Sequence, residues 1–154
     1  MAAKRTGISR DLIIHPGETI ADVLEERDIT QAELATRTGV SPAYVSSVIA
    51  GKKNISSKFA MALEYALDVP KSFWLNLQAN YEAELLELNE ATTVTDAEKA
   101  VLPLLHEIIA WLRSVQLIPS NQDKENTVLS LRKTFRMSDI SKLNTLVTVG
   151  AFRV

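Results

Sequence analysis

The sequence has no cysteine and only two histidines, His15 and His106, among its 154 residues. The absence of cysteine excludes disulfides, thiolate zinc sites and a cysteine nucleophile. Two histidines are too few for the usual multi-histidine metal centres, so we expect neither a metal nor another cofactor. His106-Glu107 begins like the zinc-protease motif His-Glu-x-x-His, but Ala110 stands in the place of the second histidine. No catalytic centre can be assembled, and an enzyme is the least favoured class of protein.

Glycine and proline are also scarce, with five of each, whereas alanine, leucine, glutamate and lysine are frequent. This composition favours α-helices. No apolar run approaches the ~20 residues that cross a bilayer. The N-terminal segment MAAKRTGISRDLII lacks the apolar stretch of a signal peptide. We therefore predict an all-α, cytoplasmic protein without a membrane partner.

The charge of the chain is unevenly distributed. The formal net charge is −2 and the isoelectric point is about 5.7, which argues against a polycation that coats nucleic acid. Between Thr30 and Lys58, however, four basic residues accompany one acidic residue, a local charge of +3. Acidic residues lie on both sides of this stretch: Asp22, Glu25, Glu26, Asp28, Glu82, Glu84, Glu87 and Glu90. An acidic protein with one basic stretch indicates a small, oriented surface for an anionic partner.

Start and stop signals predict a first module, residues 1–90, with five helices. Thr30-Gln31-Ala32-Glu33 has the pattern of a capping box, in which the Glu33 side chain reaches back to the cap. Gly39 and Gly51 suit helix ends, because glycine readily takes a positive φ. The predicted helix starts are Pro16, Thr30, Ser41-Pro42, Ser56 and Pro70. The fifth helix has an apolar stripe with a spacing of three or four residues: Trp74, Leu77, Tyr81, Leu85 and Leu88.

The second module, residues 91–154, begins with a polar, non-helical joint, Ala91–Thr95, and another capping box, Thr95-Asp96-Ala97-Glu98. One long amphipathic helix is predicted to continue through Val115 and to end before a break at residues 118–121. Two further helices are expected at the apolar residues Val128, Leu131, Phe135, Leu143, Leu146 and Val147. Strand-like sequence occurs only at the end of the chain. The module is expected to serve oligomerisation or partner binding.

The tight pair of helices between Thr30 and Gly51 carries the functional signal. A short helix, a Gly-Val-Ser turn and a second short helix match the helix-turn-helix, whose second helix enters the DNA major groove. Ala35 is small where the helices cross, and Val40, Val45 and Val48 hold the second helix to the first. The outer face then presents small or hydrogen-bonding groups: Ser41, Pro42, Ala43, Tyr44, Ser46 and Ser47. Such a face can approach base edges and thymine methyl groups closely.

The segment QAELATRTGVSPAYVSSVIAGKKNIS resembles the phage-repressor (Xre, Cro/CI-like) helix-turn-helix. HPGETIADVLEERDITQAELA before it and AMALEYALDVPKSFWLNLQANYE after it extend the resemblance to HigA-type antitoxins. The signature of those proteins has a His-Pro-Gly start and a Phe-Trp-x-x-Leu-Gln element near the fifth helix. The resemblance covers about residues 13–85. It implies a homodimeric repressor that binds double-stranded DNA at a palindromic operator, controls its own operon and neutralises a cognate toxin.

The resemblance also implies which residues touch DNA. The residues expected to face bases or the groove edge are Pro42, Ala43, Tyr44, Ser46 and Ser47. The residues expected to bind phosphates are Gln31, Arg37, Ser41, Lys52, Lys53, Asn54, Ser56 and Lys58. Relatives often have glutamine or arginine where this chain has Pro42, Ala43 and Ser47. We therefore expect few direct base contacts and a larger contribution from DNA shape.

Several conspicuous side chains favour structural interpretations. His15 precedes a helix-opening proline and is expected to pack or to lie in solvent rather than to contact DNA. Trp74 and Trp111 are expected to be core or interface anchors rather than platforms for nucleobases. Lys52 and Lys53 directly follow the second helix of the pair, so phosphate contact is favoured over an ordinary solvated turn.

The tail resembles a different group of proteins. The segment from Thr95 to Val154, especially LSLRKTFRMSDISKL and VGAFRV, is similar to the helical linker of Xre-type proteins that continue into an ImmA/IrrE-like metallopeptidase. The chain ends at Ala151–Val154 without that peptidase, as either a naturally short relative or a part of a longer protein. Two alternatives therefore stand beside the autoregulating antitoxin: the DNA-binding part of such a stress regulator, and a protein that mainly neutralises a toxin.

Overall fold

The computed structural model describes residues 10–148, and these residues form helices and turns with no strand among them. The α-helices in this range are α1 (Pro16–Glu26), α2 (Gln31–Thr38), α3 (Pro42–Ile49), α4 (Ser57–Leu67), α5 (Lys71–Leu88), α6 (Asp96–Val101), α7 (His106–Ser114), α8 (Lys124–Phe135) and α9 (Leu143–Thr148). The predicted all-α class is confirmed. The strand-like sequence and the Ala151–Val154 stretch of the tail lie outside the described residues.

The chain divides into two compact units between Glu87 and Leu88, near the predicted module boundary at Glu90. The first unit contains α1 to α4 and all but the last residue of α5. Its core consists of twelve buried apolar residues: Ile20, Leu24, Leu34, Ala35, Val45, Val48, Ile55, Phe59, Ala60, Leu63, Leu67 and Trp74. These residues come from every helix of the unit, so the helices pack around one shared core.

Side-chain caps and glycines delimit the helices of the first unit. The hydroxyls of Thr30, Ser41 and Ser56 each accept a hydrogen bond, 3.1 Å long, from the backbone N–H three residues further on. Such bonds satisfy N–H groups that have no partner within the helix. Gly39 and Gly51 have φ values of 75° and 78°, the left-handed conformation that ends a helix. The predicted starts of α2, α3 and α4 and both glycine stops are confirmed.

The capping box predicted at Thr30 is only half formed. Thr30 caps the N–H of Glu33, but the Glu33 carboxylate bonds Arg37 instead of turning back, with Oε1 2.8 Å from Nη2. Arg37 follows Glu33 by four residues, so the two side chains meet on one exposed helix face. A charge-assisted hydrogen bond to the guanidinium is stronger than a bond to a neutral backbone N–H. Glu33 therefore bonds Arg37 rather than the N–H of Thr30.

The second unit, as far as it is described, extends from Leu88 to Thr148. The capping box at Thr95 is confirmed, because both of its bonds form: Glu98 N to Thr95 Oγ1 and Thr95 N to Glu98 Oε1. The predicted joint Ala91–Thr95 is wrong in part, since Glu90–Thr93 is a 3₁₀ turn. The Thr92 and Thr93 hydroxyls stabilise this turn by donating 2.6 Å bonds to the carbonyls three residues earlier.

The single long helix predicted through Val115 is wrong. The chain forms α6 up to Val101, a 3₁₀ turn at Pro103–Leu105, and then α7 from His106. Pro103 has no N–H to donate, and its ring collides with the carbonyl four residues earlier in a continuous α-helix. The apolar spacing continues across the break, which is why the pattern alone suggested one helix. The predicted break at residues 118–121 is confirmed between α7 and α8.

A buried ion pair joins the elements of the second unit. Glu98, which is 1% exposed, meets the Arg132 guanidinium on α8 through two bonds, Oε1 to Nη2 at 2.5 Å and Oε2 to Nε at 2.9 Å. The same carboxylate accepts the Ile140 N–H at 3.2 Å, and Arg132 also donates to Thr93. The Arg132 side chain beside it is the main reason why the pKa of Glu98 lies below its ordinary value of 4.5. The apolar core of the same unit consists of six buried residues: Ile109, Leu112, Ile118, Val128, Leu131 and Ile140.

Candidate nucleic-acid interface

The first turn of α1 lies directly against the last turn of α3. A Cβ atom added to Gly17 would stand 2.1 Å from the carbonyl oxygen of Val48 and 2.9 Å from the Cα of Ile49. Both neighbours are backbone atoms that cannot move aside without shifting the helix. Only glycine therefore permits this approach. The contact fixes α3 from the end opposite to the turn that joins it to α2.

His15 is the N-cap residue of α1 and lies next to the end of α3. Its Nδ1 accepts the Gly17 N–H at 2.9 Å, and its ring meets Tyr81 edge-on, with the centroids 4.7 Å apart. The side chain is 7% exposed, and its ring also stands next to Gly51 at the end of α3. Burial lowers the pKa of His15, against a smaller opposing effect of Glu18. Of the two alternatives expected for His15, packing and exposure to solvent, the structure shows packing.

The face of α3 that points away from the core carries the predicted base-facing residues. Val45 and Val48 are fully buried beneath it, and Val40 packs at the border of the core, as predicted. The residues on the outer side that are exposed are Pro42, Ala43 and Ser46, while Tyr44 and Ser47 are half-buried. A rigid helix thus presents small side chains to solvent.

Tyr44 has a packing role that the sequence pattern did not indicate. Its ring meets Phe59 of α4 nearly perpendicularly, at 85° and 5.1 Å between centroids. The Lys53 Nζ lies 5.3 Å from the Tyr44 centroid, within cation–π range. Tyr44 therefore joins α3 to α4 and holds one of the predicted phosphate-binding lysines close to the helix.

The loop between α3 and α4 carries most of the residues predicted to bind phosphates. Lys52, Lys53 and Asn54 are exposed, as are Ser56 and Lys58 at the start of α4. The Ser47 carbonyl accepts the N–H groups of Lys52 and Lys53, which keeps the two lysines at the end of α3. The structure therefore places Lys52 and Lys53 next to the exposed face of α3.

The buried side chain of Gln78 on α5 forms a hydrogen bond with the same loop. Its Oε1 accepts the Ile55 N–H at 2.9 Å, and its Nε2 donates to Glu82 at 3.0 Å. Gln78 is 5% exposed, so the bond satisfies a backbone group that has no access to water. The Leu-Gln pair of the fifth-helix motif was visible in the sequence, but its partner is 23 residues away and has no local signal.

The remaining predicted contacts lie on α2 and around a neighbouring cleft. Gln31 is exposed at the first residue of α2, and Arg37 is exposed near its end, where it is paired with Glu33. Arg37, Ser56 and Lys58 line a cleft of about 660 Å³ whose other walls include Tyr44, Val40, Phe59, Met61 and Tyr65. Two of the cations predicted to meet phosphates, Arg37 and Lys58, therefore line the same cleft.

Two further observations concern the whole described range. No group of three or more histidine, aspartate or glutamate side chains within residues 10–148 is placed to hold a metal ion. None of the helices described is both long enough and apolar enough to cross a bilayer.

Residues 20–74 match the sequence model of the Helix-turn-helix family HTH_3. The matched segment runs from α1 to α5 and includes both α2 and α3. The chain contains a helix-turn-helix domain. Within it, α3 occupies the position of the second helix, and its fixed, small-residue outer face is the candidate interface.

Two proteins of known sequence are similar to part of this chain. Virulence-associated protein A' of Dichelobacter nodosus is 39% identical over 69 residues, which are 44% of this chain and 60% of that protein. The uncharacterised HTH-type transcriptional regulator YddM of Escherichia coli (strain K12) is 27% identical over 86 residues, 56% of this chain and 80% of YddM. The chain therefore spans less than two thirds of the Dichelobacter protein but most of YddM.

A solved structure of Pseudomonas aeruginosa antitoxin HigA with the higBA promoter is 32% identical to this chain. The superposition covers 55% of this chain and 97% of that one, with a TM-score of 0.49.

Proposed function

We propose that the protein is a transcriptional repressor that binds double-stranded DNA through α3 of its helix-turn-helix domain. The observation that carries this proposal is the presentation of α3. The helix is fixed from below by Val45 and Val48 and at its end by Gly17, while its outer face is small and exposed. Exposed lysines lie at the end of the same helix. The similarity to the HTH-type transcriptional regulator YddM, which extends over 80% of YddM, supports the same function.

In the proposed complex the phosphate contacts position the domain and α3 reads the groove. Lys52, Lys53 and Lys58 would meet the backbone on one side of α3, and Gln31 would meet it at the start of α2. Pro42 and the other small residues of α3 would contact base edges and thymine methyl groups, with DNA shape adding specificity. A dimer would place two such helices about 34 Å apart on a palindromic operator and occlude the promoter.

Gel shifts on the DNA upstream of the gene, at two or more salt concentrations, test this function. We expect Lys52→Ala/Lys53→Ala to weaken binding by roughly tenfold or more and to reduce the slope of log affinity against log salt by about 2, because each phosphate contact releases counterions. The matched control is Lys124→Ala/Lys133→Ala, which removes the same charge from exposed positions of the second unit. Equal losses in the two double variants would contradict the proposed interface.

We further propose that the repressor is a HigA-type antitoxin. The support is the His-Pro-Gly start and the Phe-Trp-x-x-Leu-Gln element, both of which have structural roles here. His15 and Gly17 fix the end of α3, and Gln78 holds the lysine loop. Co-expression with the product of the adjacent short reading frame tests this step. Rescue of growth and co-purification are expected, whereas an inert neighbour that does not bind would contradict the antitoxin role and leave DNA binding standing.

A further inference from the structure

Three cationic side chains of the second unit line one cleft. The cleft measures about 350 Å³, and its walls include Lys99 of α6, Arg113 of α7 and Lys124 of α8. No aspartate or glutamate of residues 10–148 lines it. Like charges around one cleft repel one another, so an anion between them would stabilise the arrangement. The apolar part of the wall consists of Leu102, Pro103, Ile109 and Ala110.

Only one of the three cations has an acidic partner. The Lys99 Nζ lies 2.7 Å from Oε1 of Glu125, and both side chains are about one third exposed. Neither Arg113 nor Lys124 forms a salt bridge with another residue in the described part of the chain. The pair of Lys99 and Glu125 is neutral as a whole. The cleft therefore retains two positive charges that no carboxylate of residues 10–148 balances.

The Arg113 side chain is positioned by neutral groups rather than by a carboxylate. Its Nη2 donates to the Thr127 hydroxyl at 3.3 Å, and that hydroxyl donates to the Asp123 carbonyl at 2.8 Å. Thr127 is buried, so this contact is held by α8. The Arg113 Nε is buried as well, and no group in the described range accepts its N–H. Arg113 is thus ordered while its charge is not neutralised, and most of its N–H groups are free to donate to an anion.

The charge and the walls of the cleft match one class of ligand. A phosphate monoester carries about −1.5 to −2 charges at pH 7, which balances the charges of Arg113 and Lys124. A guanidinium can donate to two phosphate oxygens at once. The phosphates of a nucleic-acid backbone carry a single charge each and match less well. Ligand pockets usually measure roughly 300–1,000 Å³, so a cleft of this size suits a small ester whose organic part contacts the apolar wall.

We propose that this cleft, lined by Lys99, Arg113 and Lys124, binds a small organic phosphate monoester. The phosphate bonds Arg113 and Lys124, while Lys99 stays paired with Glu125 at the border. The proposal goes beyond DNA binding and gives the second unit a ligand-binding role. Ligand binding is measured without DNA, so a failure of this site leaves the proposed function of α3 standing.

Calorimetric titration of the full chain with phenyl phosphate, in a buffer free of phosphate, provides the first test. We expect one molecule to bind per chain with a dissociation constant of roughly 1 mM or below. Phenyl sulfate has a similar shape but a single negative charge, and it should bind at least roughly fivefold more weakly. Absence of saturable binding, or equal affinity for the two compounds, would overturn the proposal.

A pair of charge reversals tests whether the cleft itself is responsible. Lys124→Glu should weaken the binding of phenyl phosphate at least roughly tenfold, because it replaces a cation of the site with an anion. The matched control is Lys133→Glu, the same change at an exposed position on the opposite side of α8. This variant should bind nearly as well as the wild type. Equal losses in the two variants would show a general attraction of anions and would overturn the site.

A third variant changes the space in the cleft and leaves its charge unchanged. Ala110 is exposed and forms part of the apolar wall, so Ala110→Phe should fill the cleft without disturbing the core. We expect at least a roughly tenfold loss of affinity for phenyl phosphate and an unchanged helical circular dichroism spectrum. Wild-type affinity in Ala110→Phe would place the anion outside the cleft and would overturn the proposal.

Competition with DNA distinguishes a small phosphate ester from a nucleic-acid backbone as the ligand. A duplex from the upstream promoter, without terminal phosphates, should not displace phenyl phosphate from the full chain. Lys52→Ala/Lys53→Ala should bind phenyl phosphate like the wild type. Displacement by the duplex would identify the cleft as a contact for the DNA backbone and would overturn its assignment to a small ligand.

Discussion

Each of the two units of this chain is stabilised internally by a different kind of interaction. The helix-turn-helix unit packs twelve buried apolar residues and brings two helices into backbone contact at Gly17. Its buried polar side chains, His15 and Gln78, are neutral groups that each satisfy one backbone N–H. The second unit has six residues in its apolar cluster, and its elements converge on the charged pair of Glu98 and Arg132.

This difference indicates what each unit depends on. Apolar burial stabilises a fold at any pH, and close backbone contact leaves α3 little room to shift. A buried ion pair contributes little net stability but makes the loss of one partner costly, because the other charge remains in a place with little water. The helix-turn-helix unit should therefore be sensitive to changes of side-chain shape, and the second unit should be sensitive to changes of charge.

The largest expected effect is on the second unit. Glu98→Ala leaves the Arg132 guanidinium partly buried without its carboxylate and should destabilise this unit by about 3–5 kcal/mol. The control is Glu125→Ala, which breaks the pair with Lys99 at 2.7 Å, where both side chains are about one third exposed. That loss of stability should be much smaller, because an ion pair near solvent contributes little. Hydrogen exchange of peptides from each unit is the measurement.

If Glu98→Ala increases hydrogen exchange equally in both units, the two units do not differ in their dependence on the buried ion pair. A sharper variant replaces both partners with apolar residues, Glu98→Leu/Arg132→Met. Because no unpaired charge remains, this double variant should recover much of the lost stability.

The next effect concerns shape in the first unit. Gly17→Ala places a methyl group within contact of the α3 backbone, so α1 must move away, at a cost of about 1–3 kcal/mol. DNA affinity should fall as well, since the end of α3 is no longer fixed. Gly39→Asn is the matched control, because a Cβ there meets nothing within 4 Å and asparagine tolerates a positive φ. Urea denaturation and gel shift give the two readouts, and a stable, fully active Gly17→Ala would refute the close contact.

The smallest effect is a difference in pH dependence. Burial lowers the folded pKa of His15 below its ordinary value of 6.5, so the first unit should lose stability as the pH falls from about 6.5 through the folded value. The pKa of Glu98 lies below 4.5, so its contribution should persist to about pH 4.5 and disappear only as the pH falls further. Denaturation midpoints from pH 8 to pH 3, resolved by unit, test the order of the two losses.

His15→Asn serves as the control for the first unit. Asparagine caps helices well but does not titrate. In this variant the first unit should therefore no longer lose stability as the pH falls below about 6.5. The loss of stability of the second unit below about pH 4.5 should be unchanged. A first unit that shows the same pH dependence with asparagine would remove His15 as its cause.

The local signals of this fold were readable from the sequence. Helix starts could be predicted from the hydroxyl caps Thr95, Ser41 and Ser56, and helix ends from Gly39 and Gly51. These effects act within one helical turn, so the local sequence is sufficient to predict them. The pairing of α2 with α3 followed from the same signals.

The features that the sequence did not reveal join residues that are far apart in the chain or depend on competition between partners. Glu98 meets Arg132 across 34 positions, and Gln78 meets Ile55 across 23. No periodicity encodes such pairs. Glu33 had two partners within reach, and the choice of Arg37 became visible only in the structure.

The outer face of α3 is the surface that we propose to meet DNA. Fluorescence anisotropy of a labelled duplex from the upstream promoter, titrated with wild type and Ala43→Glu, tests it most directly. The added carboxylate would lie among phosphates, so we predict a loss of affinity of at least roughly 100-fold with an unchanged helical spectrum. The control, Ala79→Glu on an exposed position of α5, should bind like the wild type. Wild-type affinity in Ala43→Glu would contradict DNA contact through the outer face of α3.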